Sequence, residues 1–161
     1  MPDKLAKSIT ILMADDDDDD RLMAHDAIME GRIINDFRFV KDGVELLEYL
    51  RREGDYVDPS ISPRPHLILL DLNMPRMDGR EALTEIKNDP KLKSIPVVIL
   101  TTSKQEEDKV KGYHLGAASY ITKPVSFDGL VKLMKALGRY WVDFVDFPMP
   151  ENPTREGNDR T

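Results

Sequence analysis

The chain has no cysteine, which excludes disulfide scaffolds, thiol chemistry and cysteine-ligated zinc. No run of apolar residues approaches the ~20 needed to span a bilayer. The opening Met1-Pro2-Asp3-Lys4 leads into one short apolar run, with no signal-peptide core or cleavage site. A Gly-x-x-x-x-Gly-Lys loop is also missing, so nucleotide hydrolysis has no support. Base is not in excess either: 23 Lys and Arg stand against 30 Asp and Glu, a net charge of -7. Nucleic-acid binding depends on neutralising phosphates with Lys and Arg, so it is disfavoured. What remains is an acidic, soluble domain expected in the cytoplasm. With 40% hydrophobic residues in 161, it can bury an ordinary core.

The acid is unevenly placed. Residues 15–20 are six consecutive aspartates, and without them 24 acids would face 23 bases. A calcium loop is one reading of such a run, since Asp15, Asp17 and Asp19 alternate. It fails because Asp20 stands where glycine is required and Asp26 where glutamate is. A solvated surface run is the other general reading, and the position of the run decides between it and a site.

Ile9, Ile11, Leu12 and Met13 form a short apolar run that ends at Ala14, where the acids begin. A run of this length reads as a strand buried on both faces. Leu22, Met23, Ala27 and Ile28 then recur at helical spacing up to Gly31. Residues 37–40 read as a second strand and 44–52 as a helix. Residues 53–64, with Gly54, Pro59 and Pro63, read as a surface loop. A third strand at 67–70 ends in Asp71, and a helix opens at Asp78-Gly79 and stops before Pro90. A strand at 96–100 ends at Thr101-Thr102. A more polar helix is expected over 105–115 with Gly116 as its C-cap. A short fifth strand, Tyr120-Ile121, precedes Lys123-Pro124, and residues 127–144 read as the last helix.

Five unalternating apolar strands interleaved with five helices predict an α/β fold with a doubly wound parallel sheet in the flavodoxin-like order. The globular domain is expected over 1–147, with a disordered tail at 148–161.

In an open parallel sheet, ligands bind beyond the carboxyl ends of the strands. Asp15 and Asp16, Asp71, Thr101 and Lys123 all fall at such ends. Three carboxylates on one edge repel each other unless a cation lies among them, and hard oxygen ligands suit Mg2+ or Mn2+. A lysine and a hydroxyl close by are what a phosphoryl group on a carboxylate would need. Taken singly, Lys123 would be a surface lysine and Asp71 a turn residue. His25, His66 and His114 are scattered without a nucleophile or metal-ligand partner nearby, which disfavours a phosphohistidine carrier.

Four segments then resemble the receiver domains of two-component response regulators: Ile11-Leu12-Met13-Ala14-Asp15-Asp16, the stretch from Leu69-Leu70-Asp71-Leu72-Asn73 to Asp78-Gly79, Pro96-Val97-Val98-Ile99-Leu100-Thr101-Thr102, and Tyr120-Ile121-Thr122-Lys123-Pro124. They occur in the family's order, and the match covers residues 8–141. The resemblance implies that Asp71 is the phosphoacceptor, receiving its phosphoryl group from a sensor histidine kinase. It also implies that Asp16 binds Mg2+ directly, that Asp15 does so through water, and that the Asn73 backbone carbonyl is a further ligand. Lys123 and Thr101 would bind the phosphoryl group, Thr101 and Tyr120 would act as the switch, and Pro124 would follow a cis peptide. Within the aspartate run, Asp15 and Asp16 fit this pattern, with Asp17 available after a one-residue slip. Asp17 or Asp18 would cap the helix, and residues 18–20 would face solvent in its first turn.

No separate substrate turnover is expected, so the chain is not read as an enzyme beyond its own phosphorylation and dephosphorylation. An aspartate-nucleophile phosphatase should show Asp-x-Asp, and Asp71-Leu72-Asn73 lacks the second acid. A phosphorylation-independent receiver acting as a constitutive binding module is the alternative. Ser103, second after Thr101, replaces the carboxylate or amide that orients water in fast-dephosphorylating family members, and a long-lived aspartyl phosphate is expected. Too few residues follow the domain for a DNA-binding or enzymatic output, so output is expected through protein contacts. Tyr140, Trp141, Phe144 and Phe147 lie near one helical stripe and form either a homodimer seam or a helix end packed on its own domain. The long loop before Pro65, the Thr101-Thr102-Ser103 strand end and the Trp141 extension resemble stand-alone regulators paired with bacterial phytochrome kinases.

Overall fold

The three central strands are five-residue, largely aliphatic runs buried along their whole length, and their alternation explains the layering. In a strand, successive side chains point to opposite faces. A computed structural model describes residues 9–33, 35–111 and 113–143, the last six of these by their backbone alone. In it, β1 (Thr10–Ala14), β2 (Asp36–Val40), β3 (Leu67–Asp71), β4 (Val97–Thr101) and β5 (Ser119–Thr122) form one parallel sheet in the order β2-β1-β3-β4-β5. This is the flavodoxin-like order expected from the pattern.

Ile11 and Met13 of β1, Leu67 and Leu69 of β3, and Val98 and Leu100 of β4 pack on one face. There they meet Ala24, Ala27 and Ile28 of α1 (Asp18–Glu30) and Met134 and Leu137 of α5 (Phe127–Asp143). The intervening residues Leu12, Ala14, Ile68, Leu70, Val97 and Ile99 pack on the other face. That face is covered by α2 (Gly43–Arg51), α3 (Gly79–Asn88) and α4 (Lys104–Lys111) through Leu46 and Leu47, Leu83 and Ile86, and Val110. Each fully buried Leu or Ile contributes about 1.5–3 kcal/mol, so a charge at Leu69 or Ile99 would break one layer outright.

The helices begin where short polar side chains take up their free N–H groups. Asp17 Oδ1 accepts from the backbone N–H groups of Asp19 and Asp20 at 2.8 and 3.2 Å, making Asp17 the N-cap of α1. Asp42 and Asp78 do the same for α2 and α3. Gly79 cannot carry a side chain: a Cβ there would stand 2.6 Å from the Asp71 carbonyl oxygen. The start of α3 is thus pressed directly onto the end of β3.

α4 ends at Lys111, four residues before the expected end, and Gly116 is not its cap. The N–H groups of Tyr113 and His114 donate to the carbonyls of Val110 and Lys111, a tighter i→i−3 turn, and His114 adopts φ +50°. Gly116, at φ +89°, lies five residues beyond the helix end. The expected loop at 53–64 includes a single 3-10 turn, Gly54–Tyr56. Phe144, Phe147 and the expected tail at 148–161 lie outside the described residues, and Tyr140 and Trp141 are described by backbone only. Among the described residues, no helix is long and apolar enough to cross a membrane.

Candidate metal and phosphoryl site

The sheet order puts β1 and β3 side by side, with Ala14 paired to Leu70, so the residues that follow, Asp15 and Asp71, emerge next to each other. β4 and β5 pair Thr101 with Thr122, which places Lys123 beside the same edge. Its N–H donates to the Thr101 carbonyl at 2.8 Å. Asp15, Thr101 and Asp71 are buried and Asp16 is exposed. One carboxylate oxygen from each of Asp15, Asp16 and Asp71 lies within 4.8 Å of the others. Three hard anionic oxygens at that spacing fit a small divalent cation and suit no soft metal.

Lys123 Nζ lies 3.0 Å from Asp15 Oδ2, 2.9 Å from Asp20 Oδ2 and 3.3 Å from Asp71 Oδ2. The other oxygen of each buried carboxylate is held by the backbone. Asp15 Oδ1 accepts from the Asp17 N–H at 3.0 Å, and Asp71 Oδ1 from the Asn73 N–H at 3.1 Å. Burial pushes Asp15 up to about 6, against the opposing pull of these hydrogen bonds and of the Lys123 charge. Burial also raises Asp71, with Lys123 and the Asn73 N–H opposing and the Asp16 charge adding to the rise. Burial disfavours the ammonium of Lys123, but its Asp20 and Asp15 hydrogen bonds and the charge of Asp71 prevail and hold it above the ordinary lysine range. The cluster is thus a buried pair of reluctant anions held together by one firmly charged cation.

The expected residues Asp15, Asp16, Asp71 and Lys123 are brought together. Thr101 is at the same strand-end edge, with its hydroxyl 3.4 Å from the Ile121 carbonyl oxygen and 3.4 Å from Thr122 Oγ1. Tyr120 is half-buried against the core of the α2–α3–α4 face. The expected cis bond before Pro124 is absent: the Lys123–Pro124 peptide is trans, as are all peptides among the described residues. Trans is the preferred X–Pro isomer by about 0.5–1 kcal/mol, and with it Nζ already reaches all three carboxylates.

Three contacts are new relative to the sequence reading. Asp20, expected in solvent, turns in to Lys123. Arg21 Nη1 donates to the Asp15 carbonyl at 2.7 Å. Glu106 accepts from the Thr102 N–H at 2.7 Å and from Asn73 Nδ2 at 3.1 Å, joining the β3–α3 and β4–α4 loops beside the site. Hydrogen bonds from Thr102 and Asn73 outweigh burial and hold Glu106 below the ordinary carboxyl range. Ser103-Lys104-Gln105-Glu106 is a capping-box pattern, and Ser103 Oγ accepts from the Glu106 N–H at 3.1 Å, but the Glu106 carboxylate bonds Thr102 and Asn73 instead of the Ser103 N–H that the pattern predicts. Asp20 has no sequence signal, because six identical residues carry no helical phase.

Comparison with known proteins agrees with the geometry. The family described as response regulator receiver domain matches residues 11–135. Response regulator Rcp1 of Synechocystis sp. is 37% identical over 148 residues, which cover 92% of this chain and 99% of that protein. The crystal structure of the phosphorylated cyanobacterial phytochrome response regulator RcpA is similar, with TM-score 0.73 and 40% identity over 84% of this chain and 95% of that one. The Mn2+-bound form of response regulator Rcp1 gives TM-score 0.72 and 38% identity over 87% and 99% of the two chains.

Proposed function

The chain belongs to the response regulator receiver family, and from that premise we propose that Asp71 accepts a phosphoryl group from a sensor histidine kinase in an Mg2+-dependent reaction. One observation carries this reading. The Oδ2 atom of buried Asp71 faces the Lys123 ammonium at a strand end, within a cluster of three carboxylates.

In the transfer, a carboxylate oxygen of Asp71 attacks the phosphorus of the kinase's phosphohistidine. A P–O bond forms as the P–N bond breaks, and the imidazole leaves with the electron pair. Positioning and charge neutralisation supply the catalysis. Asp71 must be anionic to attack, and the nearby Lys123 charge favours that form against burial. Lys123 then turns its donors to the phosphoryl oxygens, and the Thr101 hydroxyl, at the adjacent strand end, is the second donor. Asp15, Asp16 and Asp71, with the Asn73 backbone carbonyl, would hold Mg2+ or Mn2+. Bound there, the cation neutralises charge on the carboxylates and on the transferring group.

The similarity to a cyanobacterial phytochrome response regulator supports a phytochrome-type kinase as the donor. The acidic charge supports protein rather than nucleic-acid partners, and the aromatic residues Tyr140, Trp141, Phe144 and Phe147 support a homodimer; the cytoplasm is the proposed compartment in which the kinase donor meets it. Signalling, not turnover of an external substrate, is the proposed output.

The test is phosphorylation by acetyl phosphate with Mg2+, followed by intact mass. The wild-type chain should gain one phosphoryl group and Asp71→Asn none. Undiminished labelling of Asp71→Asn would falsify the assignment.

A further inference from the structure

The ammonium of Lys123 has three N–H donors and three carboxylate partners, of which the Asp20 contact, at 2.9 Å, is the shortest. Asp20 is not one of the three clustered carboxylates. Its side chain is 36% exposed, whereas those of Asp15 and Asp71 are 0% and 6% exposed. It stands in the first turn of α1, where its own N–H donates to the Asp17 cap.

In Asp15 and Asp71 the Oδ1 atoms are held by backbone N–H groups, and Lys123 occupies both Oδ2 atoms. A cation entering the cluster therefore meets the lysine on the oxygens it needs. As long as Lys123 stays in the half-buried place it occupies, burial penalises its charge unless an anionic partner is beside it. Asp20 supplies that partner outside the cluster.

We propose that Asp20 is a positioning residue that berths Lys123 at the rim of the site, so that a divalent cation can take oxygens of Asp15 and Asp71 without stranding the ammonium. The proposal rests on the metal and phosphoryl reading above. It gives the last member of the aspartate run a task distinct from that of Asp15 and Asp16. Without Asp20, Lys123 falls back wholly on Asp15 and Asp71, and the cation must displace it.

The test is Mn2+ titration of the full chain, followed by electron paramagnetic resonance, with no phosphoryl donor present. Asp20→Asn should weaken Mn2+ binding about tenfold, as loss of an outer-shell partner does. Asp19→Asn removes the same charge from the neighbouring exposed residue, and screening at physiological salt should limit its effect to under about twofold. In a Lys123→Ala background, Asp20→Asn should cost no more than Asp19→Asn, because Asp20 acts through the lysine. Equal effects of Asp20→Asn and Asp19→Asn would overturn the proposal. So would a full Asp20→Asn loss that persists without Lys123. If the wild-type chain binds no Mn2+, the metal reading falls along with the inference; wild-type binding with an inert Asp20 removes the inference alone.

Discussion

Asp71 and Lys123 are 52 residues apart in sequence and 3.3 Å apart in space. Lys123 also bridges Asp15, so one side chain offsets two buried anions. Removing one partner of a buried pair costs about 3–5 kcal/mol when the remaining charge is left uncompensated. Lys123→Ala should therefore lower the stability of metal-free protein at neutral pH by about 3 kcal/mol. Urea unfolding in EDTA checks this, and Mg2+ should restore part of the loss. An unchanged midpoint would mean that the lysine is not compensating the carboxylates.

Asp15 gives the metal-free protein an unusual pH response. Its folded pKa of about 6 lies well above the ordinary carboxyl range, so the folded state holds the proton more tightly than the unfolded chain. The stability tied to that proton is complete below pH 4 and is lost as pH rises to 6, by about 2–3 kcal/mol. Asp15→Asn should flatten this slope in EDTA. A wild-type protein that gains stability over the same interval would contradict the assignment.

Asp42 is buried at the cap of α2 and paired with Arg76, whose Nε and Nη2 donate to it at 2.8 and 3.1 Å. Burial disfavours its charge, but the Arg76 and Glu45 hydrogen bonds outweigh that and hold its pKa low. Arg76 is half exposed, so solvent screens much of its loss, and Arg76→Ala should lower the melting temperature only modestly. Stability from this low pKa is present at neutral pH and lost on acidification. The variant should accordingly differ most from wild type above pH 4, as read by thermal melts across pH.

Gly79→Ala inserts a methyl group 2.6 Å from the Asp71 carbonyl oxygen. Overpacking of this kind costs about 1–3 kcal/mol. Because the strain falls on the phosphoacceptor's own backbone, acetyl-phosphate labelling should slow even though no functional side chain is altered. Labelling at the wild-type rate, with an unshifted melt, would show that the loop yields freely.

Ser103 gives the site no carboxylate at the position second from Thr101, and its hydroxyl is occupied in capping α4. The aspartyl phosphate should be long-lived, and Ser103→Asp, which retains a capping oxygen, should shorten its life. Phosphate release with Mg2+ measures both. Wild-type decay within seconds would sink the expectation.

The strand ends are legible in the sequence because each apolar run stops abruptly at a polar residue, and a parallel sheet gathers such stops at one edge. Asp15, Asp71, Thr101 and Lys123 are all found this way. Asp20 is not, since its direction depends on which aspartate caps α1, and identical neighbours leave no periodicity to read. The end of α4 is obscured for another reason: Leu115 and Gly116 have the composition of a helix end, yet the helix stops at Lys111 and a tighter turn follows through Tyr113 and His114. Pro124 misleads through its type, because a proline is compatible with either isomer and does not itself fix which is present.

β5 has a single neighbour in the sheet, and its side chains are the least buried of the five strands. Yet its last residue leads straight into Lys123, which is anchored to Asp15 and Asp20 beyond β1 and to Asp71 at the end of β3. The lysine thus works as a guy-rope from the sheet's margin to its middle. The strand that carries Tyr120 therefore ends one residue short of that three-way ion pair. The least buried strand of the sheet is thus the one whose end holds the cation at its centre.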